Sequence, residues 1–254
     1  DIAAWPSLTR LKKGAAVLSL QKLTVRPQAE IEQLEAALAA LREENRQLRE
    51  QLAQPAKPAP DESLWAFDEK GELRIKPGIA LPDTIVVPQT AGGREAPDGK
   101  WTLQLCKSVR HVVVPEGFRV LPEFGLSDCK KLETLILPST LERIEDCACM
   151  GDAALRSVAL PEGLREIGAG AFANCRALEE IAFPDSLERI GMLCFYQCTG
   201  LKRVSFPHFW KGRTEEIGAA GLSCPGAGVR YPHLAGDPYT GVHCMVEFRE
   251  ISAD

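Results

Sequence analysis

Hydrophobic positions between Val109 and Phe206 recur with one fixed period. The period is marked by Pro115, Pro138, Pro161, Pro184 and Pro207, by Leu132, Leu155, Leu178 and Leu201, and by Leu141, Leu164 and Leu187. A repeat of about 23 residues is one supersecondary unit that cannot bury its apolar side alone, so successive units must stack. The pattern therefore predicts a solenoid.

Within one unit, residues 155–177, the apolar positions change their spacing in a fixed order. Val158–Leu160 alternates, which predicts a short strand with one buried face. Pro161 lacks an amide hydrogen and ends that strand, and Glu162–Gly163 is typical of a turn. Gly168 then opens a tight segment that we expect to form a single helical turn on the core. Its inward residues would be Ala171, Phe172 and Cys175.

The proline, the Ile-Gly pair, the Ala-Phe pair and the cysteine stand at offsets that resemble the BspA-type leucine-rich repeat, the form also found in a Treponema surface protein. The resemblance extends over residues 63–254 and is specific over 109–206. It implies a right-handed leucine-rich-repeat solenoid of parallel β coils with short helical or 3-10 turns. It also implies extracellular or surface display and non-enzymatic binding of proteins or host surfaces.

Charged residues also follow the period, and their sign alternates. The columns are Arg110, Glu133, Arg156, Glu179 and Lys202; Arg119, Glu142, Arg165 and Glu188; and Arg143, Glu166 and Arg189. Equivalent residues in neighbouring parallel coils lie about 4.8 Å apart, and opposite charges there attract by about 0.2–1 kcal/mol. The columns favour in-register stacking; the alternative is chance alternation on a solvated face.

The period changes near the amino terminus. After residues 1–26, a docking segment of unknown structure, residues 27–54 are expected to form an α-helical coiled coil with dimer favoured and trimer possible. Asn45 among leucines favours a parallel, in-register dimer; the alternative is a lone amphipathic helix folded back on the solenoid. The seam residues are Ile31, Leu34, Leu38, Leu41, Asn45, Leu48 and Leu52.

Residues 55–62 are a proline and alanine linker, and residues 63–254 are the capped solenoid. The cap begins with a hairpin predicted over Trp65–Ile75, because a first coil without a cap would expose its apolar end. A four-residue insertion around Gly92–Gly93 is expected to project as a loop. Alternation from Val242 to Phe248 predicts a closing strand.

Composition excludes several classes of protein. The formal net charge is −5, so there is no basic footprint for nucleic acid, and no apolar run is long enough to span a membrane. No P-loop, H-E-x-x-H or G-x-S-x-G motif is present. We therefore expect no enzyme, no catalytic residues and no cofactor. No signal peptide is visible after Asp1, and the expected extracellular, cell-surface or virion-surface location rests on the resemblance.

Most of the nine cysteines fall on the repeat. Cys106, Cys129, Cys175 and Cys198 share one column, in which Asp152 is the exception. Buried cysteine behaves as a small hydrophobic residue, so we interpret these thiols as core; the redox state stays open. The spacing of Cys147 and Cys149 is only a weak metal signal, and no metal site is predicted.

The order of segments predicts a binding module on a coiled-coil stalk, as in surface adhesins and in phage tail or virion fibres that bind a receptor. The alternative is a scaffold component that assembles through residues 1–26 and the coiled coil. Candidate ligand contacts are the exposed strand positions Arg110, His111, Glu133, Thr134, Arg156, Glu179, Glu180, Lys202 and Arg203, together with Phe209 and Trp210 in a late insertion. Solvated ladder pairs are the alternative for the strand positions, and packing against the end cap is the alternative for the two aromatic residues.

Overall fold

The computed structural model describes residues 59–224, 227–230, 232 and 241–249. The predicted docking segment, the whole predicted coiled coil with its seam residues, and residues 55–58 of the linker lie outside the described residues. Within the described part, short parallel strands from successive coils form two sheets of seven and four strands. The predicted solenoid of parallel β coils is confirmed.

The seven-stranded sheet consists of β3 (Thr84–Val86), β7 (His111–Val113), β9 (Thr134–Ile136), β11 (Ser157–Val158), β13 (Glu180–Ala182), β15 (Arg203–Phe206) and β18 (Met245–Phe248). Its order is β18-β15-β13-β11-β9-β7-β3. The four-stranded sheet consists of β8 (Val120–Leu121), β10 (Arg143–Ile144), β12 (Glu166–Ile167) and β14 (Arg189–Ile190). Each regular coil therefore contributes one strand to each sheet.

The strand register follows the sequence period. In the seven-stranded sheet His111 pairs with Thr134, Thr134 with Ser157, Ser157 with Glu180, and Glu180 with Arg203. Each partner lies one repeat further along the chain. The predicted in-register stacking is confirmed, since the paired strand residues meet their own equivalents in the next coil.

The segment after each Ile-Gly pair is a series of turns. The amides of Ala173 and Cys175 donate to the carbonyls three residues earlier, at 2.9 and 3.2 Å, as in 3-10 turns. The amide of Phe172 instead donates to the Cys194 carbonyl of the next coil, at 3.0 Å. The segment therefore consists of short 3-10 turns, one of the two forms expected, because alternate amides bond between coils and leave no longer helical ladder.

Two columns of left-handed backbone accompany these turns. One consists of Leu105, Asp128, Gly151, Asn174 and Gln197, with φ from 60 to 83°, and the other of Phe124, Cys147, Gly170 and Leu193, with φ from 53 to 61°. Both columns keep the repeat period. A side chain in this conformation is strained by about 1–2 kcal/mol per residue. In this conformation their amides donate to carbonyls of the next coil, as Asp128 does to Met150 at 2.7 Å and Cys147 to Ala169 at 2.9 Å, and these hydrogen bonds offset the strain.

The core lies between the two sheets and the turns. Leu132, Leu155, Leu178 and Leu201 are at most 2% exposed, and full burial of a leucine contributes about 1.5–3 kcal/mol. Phe172 and Phe195 stack in successive coils with ring centroids 6.0 Å apart. The leucine and phenylalanine positions that the repeat predicts as core are thus the positions whose side chains pack between coils.

The glycine of the Ile-Gly pair lies where two coils approach closely. A Cβ atom on Gly168 would lie 2.6 Å from the Asp146 amide nitrogen, and one on Gly191 would lie 2.6 Å from the Ala169 Cα atom. Both distances are shorter than side chains tolerate, so the sequence places glycine there to let the backbones meet.

At the amino-terminal end, β1 (Trp65–Phe67) and β2 (Leu73–Ile75) form the predicted hairpin, with Trp65 paired to Ile75. Strand β2 then pairs in parallel with β6 (Trp101–Thr102). Trp65 and Trp101 are 2% and 1% exposed. The predicted capping hairpin is confirmed, and two tryptophans close this end of the core.

The predicted four-residue insertion is a small second hairpin. Strands β4 (Thr90–Ala91) and β5 (Arg94–Glu95) are antiparallel and flank Gly92 and Gly93, whose φ angles are 59 and 78°. Two consecutive positive φ angles are typical of the type I′ hairpin turn. The tip of the insertion, residues 92–95, is exposed as expected of a loop, while Ala91 packs into the core at 3% exposed.

The carboxyl-terminal end departs from the repeat after β15. It contains a 3-10 helix (His208–Trp210), an α-helix (Thr214–Ala219), and strands β16 (Leu222–Ser223) and β17 (Val242–His243), which pair in parallel. Strand β18 adds to the end of the large sheet, with Val246 opposite Val204. The predicted closing strand is confirmed.

Candidate binding surface

The outer face of the seven-stranded sheet brings together the candidate contact residues of the strand region. His111, Thr134, Glu180 and Arg203 lie in one row of paired strand positions. Arg110, Glu133, Arg156, Glu179 and Lys202 lie one residue earlier along the same coils, and all five are exposed. Of these nine residues only His111 is half-buried. We call this outer face the sheet face.

Most charges on the sheet face are paired between coils. Arg110 binds Glu133 at 2.9 Å, Lys202 binds Glu179 at 2.8 Å, and Arg203 binds Glu180 at 2.6 Å. The Lys202 hydrogen bond lowers the pKa of Glu179, and the Glu180 hydrogen bond raises the pKa of Arg203. The predicted ladder of opposite charges exists, so these side chains would meet a partner as preformed pairs.

The other two predicted charge columns also form pairs, outside the sheet face. Arg119 binds Glu142 at 3.8 Å, Arg165 binds Glu188 at 2.9 Å, and Arg189 binds Glu166 at 2.5 Å. Exposed pairs of this kind contribute about 0–1 kcal/mol each. These pairs help to fix the register of the coils, because a shift by one coil would bring like charges together.

A neutral strip runs beside the charged rows of the sheet face, and sequence reasoning missed it. It consists of Ile136, Ala159, Ala182 and Ser205, which recur at the repeat period. Ile136 is 48% exposed, both alanines are exposed, and Ser205 is half-buried. The strand alternation contains the signal for this strip, since these residues stand two positions after the outward residues of the paired row.

Two adjoining depressions lie on the sheet face. One, of about 440 Å³, is lined by Arg156, Ser157, Glu179, Glu180, Lys202 and Arg203. The other, of about 410 Å³, is lined partly by Ala159, Ala182, Ser205 and Glu247. They share Ser157, Glu180 and Arg203. Together they give the sheet face a shallow concavity with small side chains in the middle and ion pairs along its side.

A further depression, of about 280 Å³, lies on the four-stranded sheet and is rich in carboxylates. Its acidic groups are occupied by structural contacts: Glu145 accepts the Glu123 amide at 3.1 Å, and Asp146 accepts the Ala169 amide at 2.7 Å. Glu166 is paired with Arg189. These carboxylates hold successive coils together.

The two aromatic candidates of the late insertion separate. Phe209 is 55% exposed, whereas Trp210 is 0% exposed. The Trp210 ring lies 5.3 Å from that of Phe206, and its Nε1 donates to the Leu187 carbonyl at 3.0 Å. The prediction of Trp210 as a ligand contact is therefore wrong: its ring fills the end of the core, as the alternative of packing against the cap proposed.

The cysteines behave as the repeat predicts. Cys129, Cys149, Cys175, Cys194 and Cys198 are fully buried, and all nine cysteines are free thiols. Burial raises the pKa of Cys198 to about 12. In the part of the chain that the structure describes, no group of three or more His, Cys, Asp or Glu side chains could hold a metal ion.

Asp152 occupies the cysteine column as a fully buried acid. Its Oδ1 accepts the Cys129 amide at 2.9 Å, while its Oδ2 makes no hydrogen bond. Burial raises the pKa of Asp152 well above its usual range, since an ionised carboxylate without a second partner is costly in an apolar core. This residue is a weak point inside the regular coils.

No helix among the described residues is both long and apolar enough to cross a membrane. Solved structures that match part of this chain include a leucine-rich repeat protein of T. pallidum, with 23% identity and a TM-score of 0.47 over 56% of this chain and 67% of that chain. A leucine-rich repeat protein of Bacteroides ovatus has 23% identity and a TM-score of 0.46 over 56% of this chain and 45% of its own.

A leucine-rich cell surface protein of Faecalibacterium prausnitzii has 18% identity and a TM-score of 0.43, over 56% of this chain and 42% of its own. This chain thus spans less than half of the Bacteroides and Faecalibacterium chains. A sequence search of curated proteins finds no match. The family model for the BspA type leucine rich repeat region matches residues 120–217 in six copies. Residues 120–217 of this chain therefore belong to the BspA-type leucine-rich repeat family.

Proposed function

We propose that this chain is a non-enzymatic module that binds a protein through the sheet face. The observation that carries the proposal is the continuous exposed surface of that sheet, where a neutral strip runs beside rows of paired charges. Leucine-rich repeats are solenoids, and solenoids present such extended surfaces to their partners. The partner is a protein or a cell-surface receptor, and no nucleic acid is involved.

The two parts of the sheet face would contribute differently to binding. Ala159, Ala182 and Ser205 are small and leave the backbone close to the surface, so a partner's side chains can pack there and exclude water. The pairs Glu179–Lys202 and Glu180–Arg203 are already satisfied, so they would orient a partner more than they would add affinity. Affinity would therefore depend on the neutral strip.

A photo-crosslinking residue in place of Ala182 tests this surface directly. In the full chain applied to host-cell surfaces, we expect a covalent adduct with one surface protein at position 182. The matched control carries the same residue in place of Ser139, which is exposed in the turn after β9 rather than on the sheet face, and should give no adduct. Ala159→Arg should abolish the adduct at position 182, because a long cation would block the strip. Equal labelling at both positions would refute the proposed surface.

We further propose that residues 27–54 form a coiled-coil stalk that presents two solenoids, in a surface adhesin or in a receptor-binding fibre of a phage or virion. Two linked sites give avidity beyond that of one weak contact. Sedimentation of the full chain should give a dimer, and Asn45→Leu should change its oligomeric state. A monomeric full chain would refute the stalk.

A scaffold component that assembles through residues 1–54 is the second candidate. Deletion of residues 1–54 distinguishes the two functions: a receptor binder keeps its monovalent adduct at position 182, whereas a scaffold loses its place in the assembly. Both candidates have in common an extracellular, cell-surface or virion-surface location.

A further inference from the structure

Cys106 and Cys129 occupy equivalent positions in two successive coils, one repeat apart. The Leu103 carbonyl accepts the Cys106 amide at 3.1 Å and the Cys129 Sγ at 3.2 Å. The Leu103 carbonyl oxygen thus lies within hydrogen-bond reach of both cysteines. Their sulfur atoms are therefore neighbours, although they belong to different coils.

The two thiols differ in access to solvent. Cys106 is half-buried, because the cysteine column ends at its coil, whereas Cys129 is fully buried beneath it. Cys175 and Cys198 continue the same column, and both are fully buried. The S–H groups of that second pair donate to backbone carbonyls of Cys149 and Phe172 at 3.1 and 2.9 Å. A reagent in solution can thus reach the first pair through Cys106 and cannot reach the second pair.

The contact also divides the chemical roles between the two sulfurs. The hydrogen bond from Cys129 lowers the pKa of Cys106, while that bond and burial raise the pKa of Cys129. The single Cys129 S–H group can turn from the Leu103 carbonyl to the Cys106 sulfur when Cys106 ionises. A thiolate is the nucleophile in thiol–disulfide exchange, so the accessible sulfur is also the more reactive one.

We propose that Cys106 and Cys129 are a reversible dithiol site that a small disulfide, such as oxidised glutathione, converts into a disulfide between the two coils. Cys106 and Cys129 lie in the turns of coils whose strands pair directly, and paired strands are about 4.7–4.9 Å apart. A spacing of that size in the turns falls within the Cα separation of about 4.4–6.8 Å that disulfides accept, so rotation of the two side chains would bring the sulfur atoms together.

The exchange has two balanced steps. The Cys106 thiolate attacks one sulfur of the small disulfide, so the Cys106 mixed disulfide forms and one small thiolate leaves. The Cys129 sulfur then attacks the Cys106 sulfur, so the Cys106–Cys129 bond forms and the second small thiolate leaves. The two protons of the cysteines end on the two small thiols, and the two cysteines are oxidised while the small disulfide is reduced. The first step removes the negative charge on Cys106. That charge raises the pKa of Cys129, so its loss makes the Cys129 proton easier to remove.

The bond would close the loop from 106 to 129 and tie the first cysteine-bearing coil to the next. A cross-link of this loop length removes conformational freedom from the unfolded chain, and its effect is greatest on the segment that frays first. Cys106 lies in the coil next to the amino-terminal cap, one coil before Cys129. Oxidation would thus lock the capped end to the regular coils.

Peptide mapping of the wild-type chain tests the proposal without a variant. The folded full chain is incubated with oxidised glutathione at neutral pH, denatured in an alkylating reagent and digested without reductant. We expect a cross-linked peptide that joins Cys106 to Cys129, with Cys175 and Cys198 recovered alkylated. Recovery of both Cys106 and Cys129 as alkylated thiols would overturn the proposal.

Three variants assign the roles. Cys129→Ala should retain glutathione on Cys106 as a mixed disulfide, and Cys106→Ala should leave Cys129 unmodified in the folded chain. Cys198→Ala, the matched control in the same column, should leave the cross-link unchanged. Glutathione on Cys129 in the Cys106→Ala variant would contradict Cys106 as the point of entry.

Oxidation of the wild-type chain should raise its Tm by roughly 5–10 °C, and dithiothreitol should reverse the shift. Cys106→Ala should show no shift under the same treatment. A cross-linked wild-type chain with an unchanged Tm would refute the bond as a constraint between coils.

Discussion

The regular coils, residues 109–206, and the two ends of the solenoid bury their cores in different ways. The coils bury columns of leucine, phenylalanine and cysteine whose neighbours are their own equivalents one repeat away. The ends bury the three tryptophans of the described chain, Trp65, Trp101 and Trp210. A coil inside the stack buries its apolar side chains against a coil on each side. The coil at an end lacks one of these neighbours, and large aromatic side chains cover the apolar surface that would otherwise be exposed there.

The regular coils and the ends also differ in how much stability a substitution removes. Inside the coils each contact is duplicated in the next repeat, so a substitution perturbs one of several equivalent layers. At an end the contact is unique, as with the Phe206 ring, which meets both Trp210 and Phe248 at centroid distances of 5.3 and 6.3 Å. We therefore expect the largest losses of stability from the ends and from backbone contacts between coils, and the smallest from the charged surface.

The largest effect is expected at the carboxyl-terminal end. Trp210→Ala should lower the free energy of unfolding by about 3–5 kcal/mol, because it removes a fully buried ring and leaves a cavity. Phe209→Ala is the matched control and should change that free energy by less than about 0.5 kcal/mol. Equilibrium unfolding in urea measures both. Equal losses from the two neighbours would contradict the separation of the pair into one core residue and one surface residue.

The next effect tests the close approach of the regular coils. Gly191→Ala should destabilise the chain by about 1–3 kcal/mol, because its Cβ would lie 2.6 Å from the Ala169 Cα atom and the coils would have to separate. Gly163→Ala provides the control, because its Cβ would lie 3.4 Å from the Ser139 carbonyl oxygen, which is an ordinary van der Waals distance. Thermal unfolding of both variants gives the comparison, and a tolerated Gly191→Ala would mean that coil spacing is adjustable.

Asp152→Cys should restore the thiol column and stabilise the chain by about 1–3 kcal/mol at neutral pH, because it removes a buried oxygen without a hydrogen-bond partner. The raised pKa of Asp152 means that the folded chain holds this proton more tightly than the unfolded chain. Its contribution to stability is therefore complete below the unfolded pKa, near 3.9, and is lost as the pH rises above that value.

Urea unfolding from pH 4 to pH 8 measures this dependence. The advantage of Asp152→Cys over the wild-type chain should grow with pH across that window. Glu215→Gln, which changes an exposed carboxyl, should run parallel to the wild-type chain. A difference between Asp152→Cys and the wild-type chain that stays constant with pH would show that Asp152 keeps its ordinary pKa.

The smallest effect belongs to the charged columns. Arg165→Glu would place three acids in one column between residues 142 and 188, and it should cost about 1 kcal/mol at low salt. The double variant Arg165→Glu, Glu188→Arg should recover part of that loss, since one pair is restored. Both differences should vanish in 1 M salt, where exposed charges are screened. A loss that persists in salt would mean that Arg165 acts through packing.

The sheet face shows how far sequence reasoning reached toward the candidate site. Strand alternation placed the row that contains Thr134 and Glu180 on the outside, and the structure agrees. The same alternation contained the neutral strip of Ala159 and Ala182, but small residues carry no chemical signal of their own. The strip becomes visible only when the pairing of strands places these residues side by side along one face.

By itself the sequence determined the stacking of the coils, their register, the columns of the core and the capping hairpin of the amino-terminal end. The physical reason is that each residue packs against the equivalent residue of the next repeat. The sequence of one repeat therefore specifies the contact, and the contact recurs at every repeat. Only the tertiary structure decided that Trp210 is buried while Phe209 is exposed, that Asp152 lacks a second partner, and that Cys106 meets Cys129 where the column reaches solvent. Each of these depends on which neighbour is missing or altered at one place, and a repeating pattern does not specify its own exceptions.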